Sequence, residues 1–151
     1  MSDLPHLAHC MMVVSDLDRA ITFYGAMMGF AVVDRHRYEG HSLVYMRSPA
    51  SMIEIELVKP DAKDAVIGAR DESWHLGFTV ADLEAAYARL SALGVRLDPI
   101  DHYVANSVFQ TRYFYLYDPD GHQIEFLEAR GRYATTHADA SACNRAEGLL
   151  P

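Results

Sequence analysis

Two stretches of the chain, "HCMMVVSDLDRAITFYGAMMGF" from His9 and "HLGFTVADLEAAYARLSALGV" from His75, are versions of one pattern. In each, the histidine is followed seven residues later by Asp-Leu: Asp16-Leu17 in the first, Asp82-Leu83 in the second. An apolar pattern then runs to a glycine, Gly29 or Gly94. The histidines stand 66 residues apart, the aspartates 66 and the glycines 65. A further pair of stretches, "MIEIELV" from Met52 and "HQIEFLE" from His122, sets Glu56 and Glu125 69 residues apart in matching triplets, Ile55-Glu56-Leu57 and Ile124-Glu125-Phe126. A period kept by four separate markers means two copies of one module, spanning residues 6–60 and 73–129. The expected organisation is one domain over 1–130 made of these two modules, a polar linker at 61–72, and an Ala-rich C-terminal tail, 131–151, that matches neither module.

Each module reads as βαβββ. His9 to Val14 and His75 to Val80 are short β-rich runs. Asp16 and Asp82 are suited to cap helix N-termini. Leu17, Ala20, Ile21, Tyr24, Met27 and Met28 repeat at helical spacing in the first copy, and Leu83, Ala86, Tyr87, Leu90 and Leu93 in the second. Gly29 and Gly94 fit the left-handed position after a helix end. Three strands are then expected at 30–35, 42–47 and 52–58, and again at 95–99, 112–117 and 122–128, with "RSPAS" and "DPDG" as turns. The fold class is α+β.

Composition limits the partners. Net charge is −8, so neither nucleic acid nor an anionic membrane is expected as a partner, since both need a basic face. No apolar run approaches the ~20 residues that span a bilayer. Cys10 and Cys143 have no metal or redox spacing, and the start "MSDLPHLAH" carries no basic-then-apolar signal, so reduced thiols and a cytoplasmic location are expected.

The glutamates are the functional clue. Alternation along a strand puts Glu54 and Glu56 on one face, with Gln123 and Glu125 on the corresponding face of the second copy. The opposite faces are apolar and should meet the helices. A carboxylate half removed from water needs a compensating charge or an open, wet sheet face. Arg112, Arg47 or Arg37 could supply an ion pair. The repeat suggests another answer. His9 and Glu56 come from one copy, His75 and Glu125 from the other, and two imidazoles with two carboxylates suit a divalent ion. Tyr113, Tyr115 and Tyr117 share one face of their strand and line the site if that face is the acidic one. His41, His102 and His122, near turns or strand starts, are expected at the solvent surface, and Trp74 in packing outside the site.

Paired βαβββ modules, each with an "H…DL" opening and an Ile-Glu close, resemble the vicinal oxygen chelate superfamily over residues 6–129. That superfamily includes glyoxalase I, extradiol dioxygenases and bleomycin resistance proteins. The resemblance implies a curved, partly closed, barrel-like sheet around a metal site, with His9, Glu56, His75 and Glu125 as ligands. It is closest to compact bacterial glyoxalase I, and implies one Ni²⁺, Co²⁺ or Zn²⁺ per site. It also implies a homodimer with sites shared between chains and a small-molecule substrate, a hemithioacetal or α-hydroxycarbonyl. Proton transfer would pass through an enediolate, with Glu125 as the base and Glu56 as runner-up. Two positions depart from the glutathione-using members, Val13 where an Arg is expected and Pro60 where an Asn is expected, so recognition of glutathione is unsupported. The rival implied reading is an extradiol dioxygenase on Fe²⁺ or Mn²⁺, favoured by Tyr115 ten residues before Glu125. Against it, positions 106–108 are Asn, Ser and Val rather than His, and residues 57–74 contain no His. A six-coordinate ion with four protein ligands also keeps two positions, whereas a catechol and O₂ together need three. A third reading is a metal-free drug-binding protein.

Overall fold

The computed structural model describes residues 7–50, 53–67, 74–105 and 108–134. His6, linker residues 68–73 and the tail from 135 onward, with His137 and Cys143, lie outside them. In chain order the elements are β1 (His9–Val13), α1 (Leu17–Met28), β2 (Ala31–Tyr38), β3 (His41–Arg47), β4 (Glu54–Pro60), β5 (Leu76–Val80), α2 (Leu83–Ala92), β6 (Asp101–Ala105), β7 (Val108–Tyr117) and β8 (Gln123–Glu128). This is the expected α+β class. Among the described residues the strands form two four-stranded sheets, ordered β1-β4-β3-β2 and β5-β8-β7-β6, that do not close into a barrel. In each sheet the first strand pairs parallel with the last, and the last three form an antiparallel meander.

The chain forms two compact units. The first comprises residues 1–70 together with 118–121, and the second residues 71–117 together with 122–151. In the first, Asp16 caps α1 by accepting from Arg19 N at 2.9 Å. The helix ends at Gly29, whose φ of 73° lets Gly29 N and Phe30 N turn back onto Gly25 O and Tyr24 O. Ala20 and Tyr24 bury the inner face of α1, while Met12, Val44, Met46, Ile55 and Leu57 supply the sheet side of the core. In the second unit Asp82 caps α2 through Ala85 N at 2.8 Å, and Leu83, Ala86 and Leu90 are buried. Phe114 and Phe126 stack there at 5.3 Å, with Tyr87 edge-on to Phe114 at 5.1 Å.

Turn residues 118–121 join β7 to β8 yet pack with the first unit. The Tyr24 hydroxyl donates to buried Asp118 at 2.9 Å, and Ser15 N and Oγ donate to Asp120 at 2.9 and 2.5 Å. An Arg19 N–H donates to the Pro119 carbonyl. Burial pushes the Tyr24 phenol well above its ordinary pKa, and the Asp118 carboxylate pushes it further.

One strand departs from expectation. Residues 95–99 do not form a strand: Leu97 makes an isolated bridge to Leu116, and Asp98 N donates to Tyr115 O at 2.8 Å. Pro99 has no N–H to continue that ladder, and regular pairing begins only at Asp101.

Candidate functional site

Pairing register puts the histidine and glutamate of each module within reach by the same diagonal. In the first sheet Met11 lies opposite Glu56, and His9, two residues earlier on the same face, reaches across. In the second, Gly77 lies opposite Glu125, and His75 again stands two residues earlier. His9 Nε2 is 3.3 Å from Glu56 Oε2, and His75 Nε2 is 3.1 Å from Glu125 Oε2. Both carboxylates are largely covered, 13% and 14% exposed, while the imidazoles remain 44% and 36% exposed.

The arginines that could have neutralised these glutamates are engaged elsewhere. Arg47 pairs with Glu54, the neighbour of Glu56 on the same face. Arg37 forks onto Asp61 at 2.9 and 2.8 Å. Arg112 bonds Glu128 through two nitrogens, at 3.0 and 2.8 Å, and also grips Glu84. Those hydrogen bonds hold Glu128 below the usual carboxylate range and raise the guanidinium pKa. Glu56 and Glu125 therefore each face an imidazole rather than a guanidinium.

Both pairs suit a divalent ion. Two donors each about 2.1 Å from one ion and at right angles are about 3.0 Å apart, close to the observed separations. At 3.1 Å the His75–Glu125 pair is also within hydrogen-bond range without an ion, while the His9–Glu56 contact is longer at 3.3 Å. Among the described residues, no three His, Cys, Asp or Glu side chains gather into one cluster; the donors occur as two pairs. Each pair supplies two donors.

Aromatic rings frame both pairs. Tyr115 lies opposite Glu125 across β7–β8 and meets the His75 ring edge-on at 5.6 Å, with Tyr113 edge-on to Tyr115 at 5.4 Å. Burial, then Asp101 and Glu125, raises the Tyr113 pKa. Tyr113, Tyr115 and Tyr117 thus share the acidic face. Tyr117 turns to Asp98, donating at 2.9 Å beneath the Arg96 guanidinium.

The first module holds the counterpart of Tyr115, which the sequence reading missed. Tyr45 lies opposite Glu56 across β3–β4, donates its hydroxyl to Oε1 at 3.0 Å and meets His9 edge-on at 5.7 Å. The hydrogen bond to Glu56, then burial, raises its pKa. The signal was available, since Tyr45 precedes Tyr115 by 70 residues, nearly the shift of the glutamates. His36, also on this face, contacts Asp34 at 3.0 Å and Tyr45 at 6.1 Å; nothing in the repeat singles it out.

Two placements correct the sequence reading. His122 is not solvated but 2% exposed, because the side chain before β8 turns to the apolar face beside Ile124 and Phe126. Trp74 is partly exposed and lies 6.0 Å from the His122 ring. His102 is exposed, as expected.

The model of the Glyoxalase/Bleomycin resistance protein/Dioxygenase superfamily matches residues 6–126. The uncharacterized protein YwbC of Bacillus subtilis (strain 168) is 27% identical over 123 residues, 80% of this chain and 94% of that protein. The trypanothione-dependent glyoxalase I of Leishmania major is similar in structure, with 27% identity and a TM-score of 0.65, over 97% of this chain and 100% of that one. TnmS3, an antibiotic-binding protein from Streptomyces sp. CB03234, has 20% identity and a TM-score of 0.66, over 85% of this chain and 98% of its own; that likeness is one of fold.

Proposed function

The chain belongs to the glyoxalase/bleomycin resistance protein/dioxygenase superfamily, and from that premise we propose that it is a divalent-metal-dependent lyase or isomerase of the glyoxalase I type. The observation that carries the reading is the duplicated pair: His9 with Glu56 and His75 with Glu125, alike in donor atoms and register and separated by 3.3 and 3.1 Å, with Arg37, Arg47 and Arg112 committed elsewhere. His9, Glu56, His75 and Glu125 would hold the ion, Ni²⁺, Co²⁺ or Zn²⁺. Bound there, the ion would supply Lewis acidity toward the two neighbouring oxygens of a hemithioacetal or α-hydroxycarbonyl.

The remaining steps belong to side chains. Glu125 takes the proton from the carbon beside the carbonyl and returns it to the adjacent carbon, so the reaction is an isomerisation with no net loss of atoms. Tyr113 and Tyr115 give the substrate an apolar wall bearing hydroxyls that can orient its oxygens. With Val13 and Pro60 in place of an Arg and an Asn, the thiol is one other than glutathione, or none. The Leishmania major relative, whose thiol is trypanothione, is a precedent for such variation.

The functional set takes its two pairs from different chains of a homodimer, His9 and Glu56 from one and His75 and Glu125 from the other. A second reading, extradiol cleavage of a catechol by the Fe²⁺ form, is favoured by Tyr115 beside His75 and opposite Glu125.

Metal content is measured first, and the Ni²⁺ and Fe²⁺ forms are then assayed in parallel. The substrates are methylglyoxal with several thiols, and a set of catechols under air. Hemithioacetal turnover by the Ni²⁺ form is expected. Catechol turnover with O₂ uptake by the Fe²⁺ form, and no hemithioacetal turnover by any form, would establish the second reading. A protein that holds no ion and is inactive in both assays would leave the drug-binding reading.

A further inference from the structure

The two modules carry the same histidine and glutamate but different neighbours. Glu56 lies between Tyr45 on β3 and Met11 on β1, both opposite it in register. Its two oxygens have separate partners, Oε1 accepting from the Tyr45 hydroxyl at 3.0 Å and Oε2 facing His9 Nε2 at 3.3 Å. Glu125 lies between Tyr115 and Gly77 and meets His75 through Oε2 at 3.1 Å.

A carboxylate on a two-methylene stem rotates freely about its last torsion, which is broad and nearly twofold. A phenol held on the neighbouring strand removes that freedom. Tyr45 is itself fixed, its ring edge-on to His9 at 5.7 Å and to His36 at 6.1 Å. We infer that Tyr45 is a positioning residue: its hydroxyl holds one oxygen of Glu56 and keeps the other, Oε2, on the side of His9, where the pair would hold the ion. The inference rests on the metal-dependent reading above. The phenol would act through Glu56, to which its hydroxyl is bonded. Such outer partners, when removed, weaken metal binding about 10–100-fold.

The test uses the full-length protein and Co²⁺ alone. Its affinity is measured by competition with a chromophoric chelator, and its coordination by the visible spectrum of the Co²⁺ form. The variants are Tyr45→Phe, Glu56→Gln, the two combined, and Tyr38→Phe as a phenol lost from the same sheet face without contact to Glu56. Tyr45→Phe should weaken Co²⁺ binding about 10–100-fold and alter the spectrum, while Tyr38→Phe changes neither. In the Glu56→Gln background, Tyr45→Phe should cost nothing further, because the residue through which it acts is already gone. Equal affinity of wild type and Tyr45→Phe would overturn the inference while sparing the parent reading. So would an equal loss in both backgrounds, which is what a general loosening of the fold produces. A wild-type protein that holds no Co²⁺ would overturn both.

Discussion

Gly77 is the position at which a side chain tests whether the side of Glu125 that faces β5 is its working side. It stands opposite Glu125 in the β5–β8 ladder, where the first module has Met11 opposite Glu56. A Cβ added to Gly77 would lie 3.5 Å from Leu127 Cδ1 and 3.6 Å from Glu125 Oε2, ordinary contact distances that require nothing to move. Gly77→Ala should therefore fold normally. Loss of glycine's extra backbone freedom in a strand is worth about 0.5–1 kcal/mol, which raises the unfolding temperature by about 1–4 °C for a chain of this size. Gly77→Met would extend three further heavy atoms over the same carboxylate and keep substrate from approaching it. A substrate displaced by about 1 Å can lose about 100-fold in rate, so kcat/KM of the metal-loaded protein should fall toward that limit for Met and far less for Ala. Circular dichroism melts and steady-state kinetics on the Gly, Ala and Met series measure both effects. If Gly77→Met keeps wild-type kcat/KM with metal bound, substrate does not approach Glu125 from the Gly77 side. A destabilised Gly77→Ala would mean that the backbone there is less accommodating than its contacts indicate.

Further perturbations test other parts of the account. Tyr24→Phe removes the donor to buried Asp118 and should cost about 1–3 kcal/mol in urea unfolding. The raised Tyr24 pKa adds a pH signature: its contribution is present below the ordinary phenol value of about 10 and lost as pH rises through the higher folded value, so the Phe variant should lack that alkaline limb. Glu128 behaves in the opposite sense. Arg112 lowers its pKa, so the stability it confers is present above the ordinary carboxylate range and lost as pH falls through the lower folded value; Arg112→Gln should flatten that acid limb in unfolding titrations. Replacing His9 and His75 together by Ala should abolish metal retention, measured by mass spectrometry, and full occupancy would exclude the four-ligand set. Mixing a His9→Ala chain with a Glu125→Ala chain should restore about a quarter of wild-type activity if sites are shared, since half the dimers are mixed and one of their two sites is intact. No recovery after verified subunit exchange would confine each site to one chain.

Much of the fold was legible because the module is written twice. The caps Asp16 and Asp82, the helix stripes and the left-handed Gly29 and Gly94 are local signals, and each is confirmed by its own hydrogen bonds or dihedrals. Strand alternation correctly separated Glu54 and Glu56 from Ile55 and Leu57. What failed was a strand boundary at a proline. Residues 95–99 have the β-rich look of an edge strand, but Pro99 cannot donate, and pairing passes to Asp101–Ala105. Burial of His122 was also missed: a histidine beside a turn is ordinarily solvated, and only the inward register of β8 covers it. Tyr45 was overlooked because the repeat was followed through its openings and closings and not through its third strand.

The residues around the two glutamates bear on how such a site would divide its labour. Two copies of a module begin with identical donors, and identical environments would give two carboxylates of identical behaviour. Holding an ion and moving a proton are different tasks. The first favours a carboxylate fixed by hydrogen bonds, the second one that substrate can approach. The copies differ at the positions flanking each glutamate. A tyrosine lies opposite each of them, Tyr45 edge-on to His9 and Tyr115 edge-on to His75, but Met11 stands opposite Glu56 where Gly77 stands opposite Glu125. Under the proposed function, the part of the repeat that the copies share would identify the donors, and the part that differs would distinguish their tasks. In a duplicated fold, substitutions opposite a shared ligand position are therefore where specialisation of the two halves is to be sought.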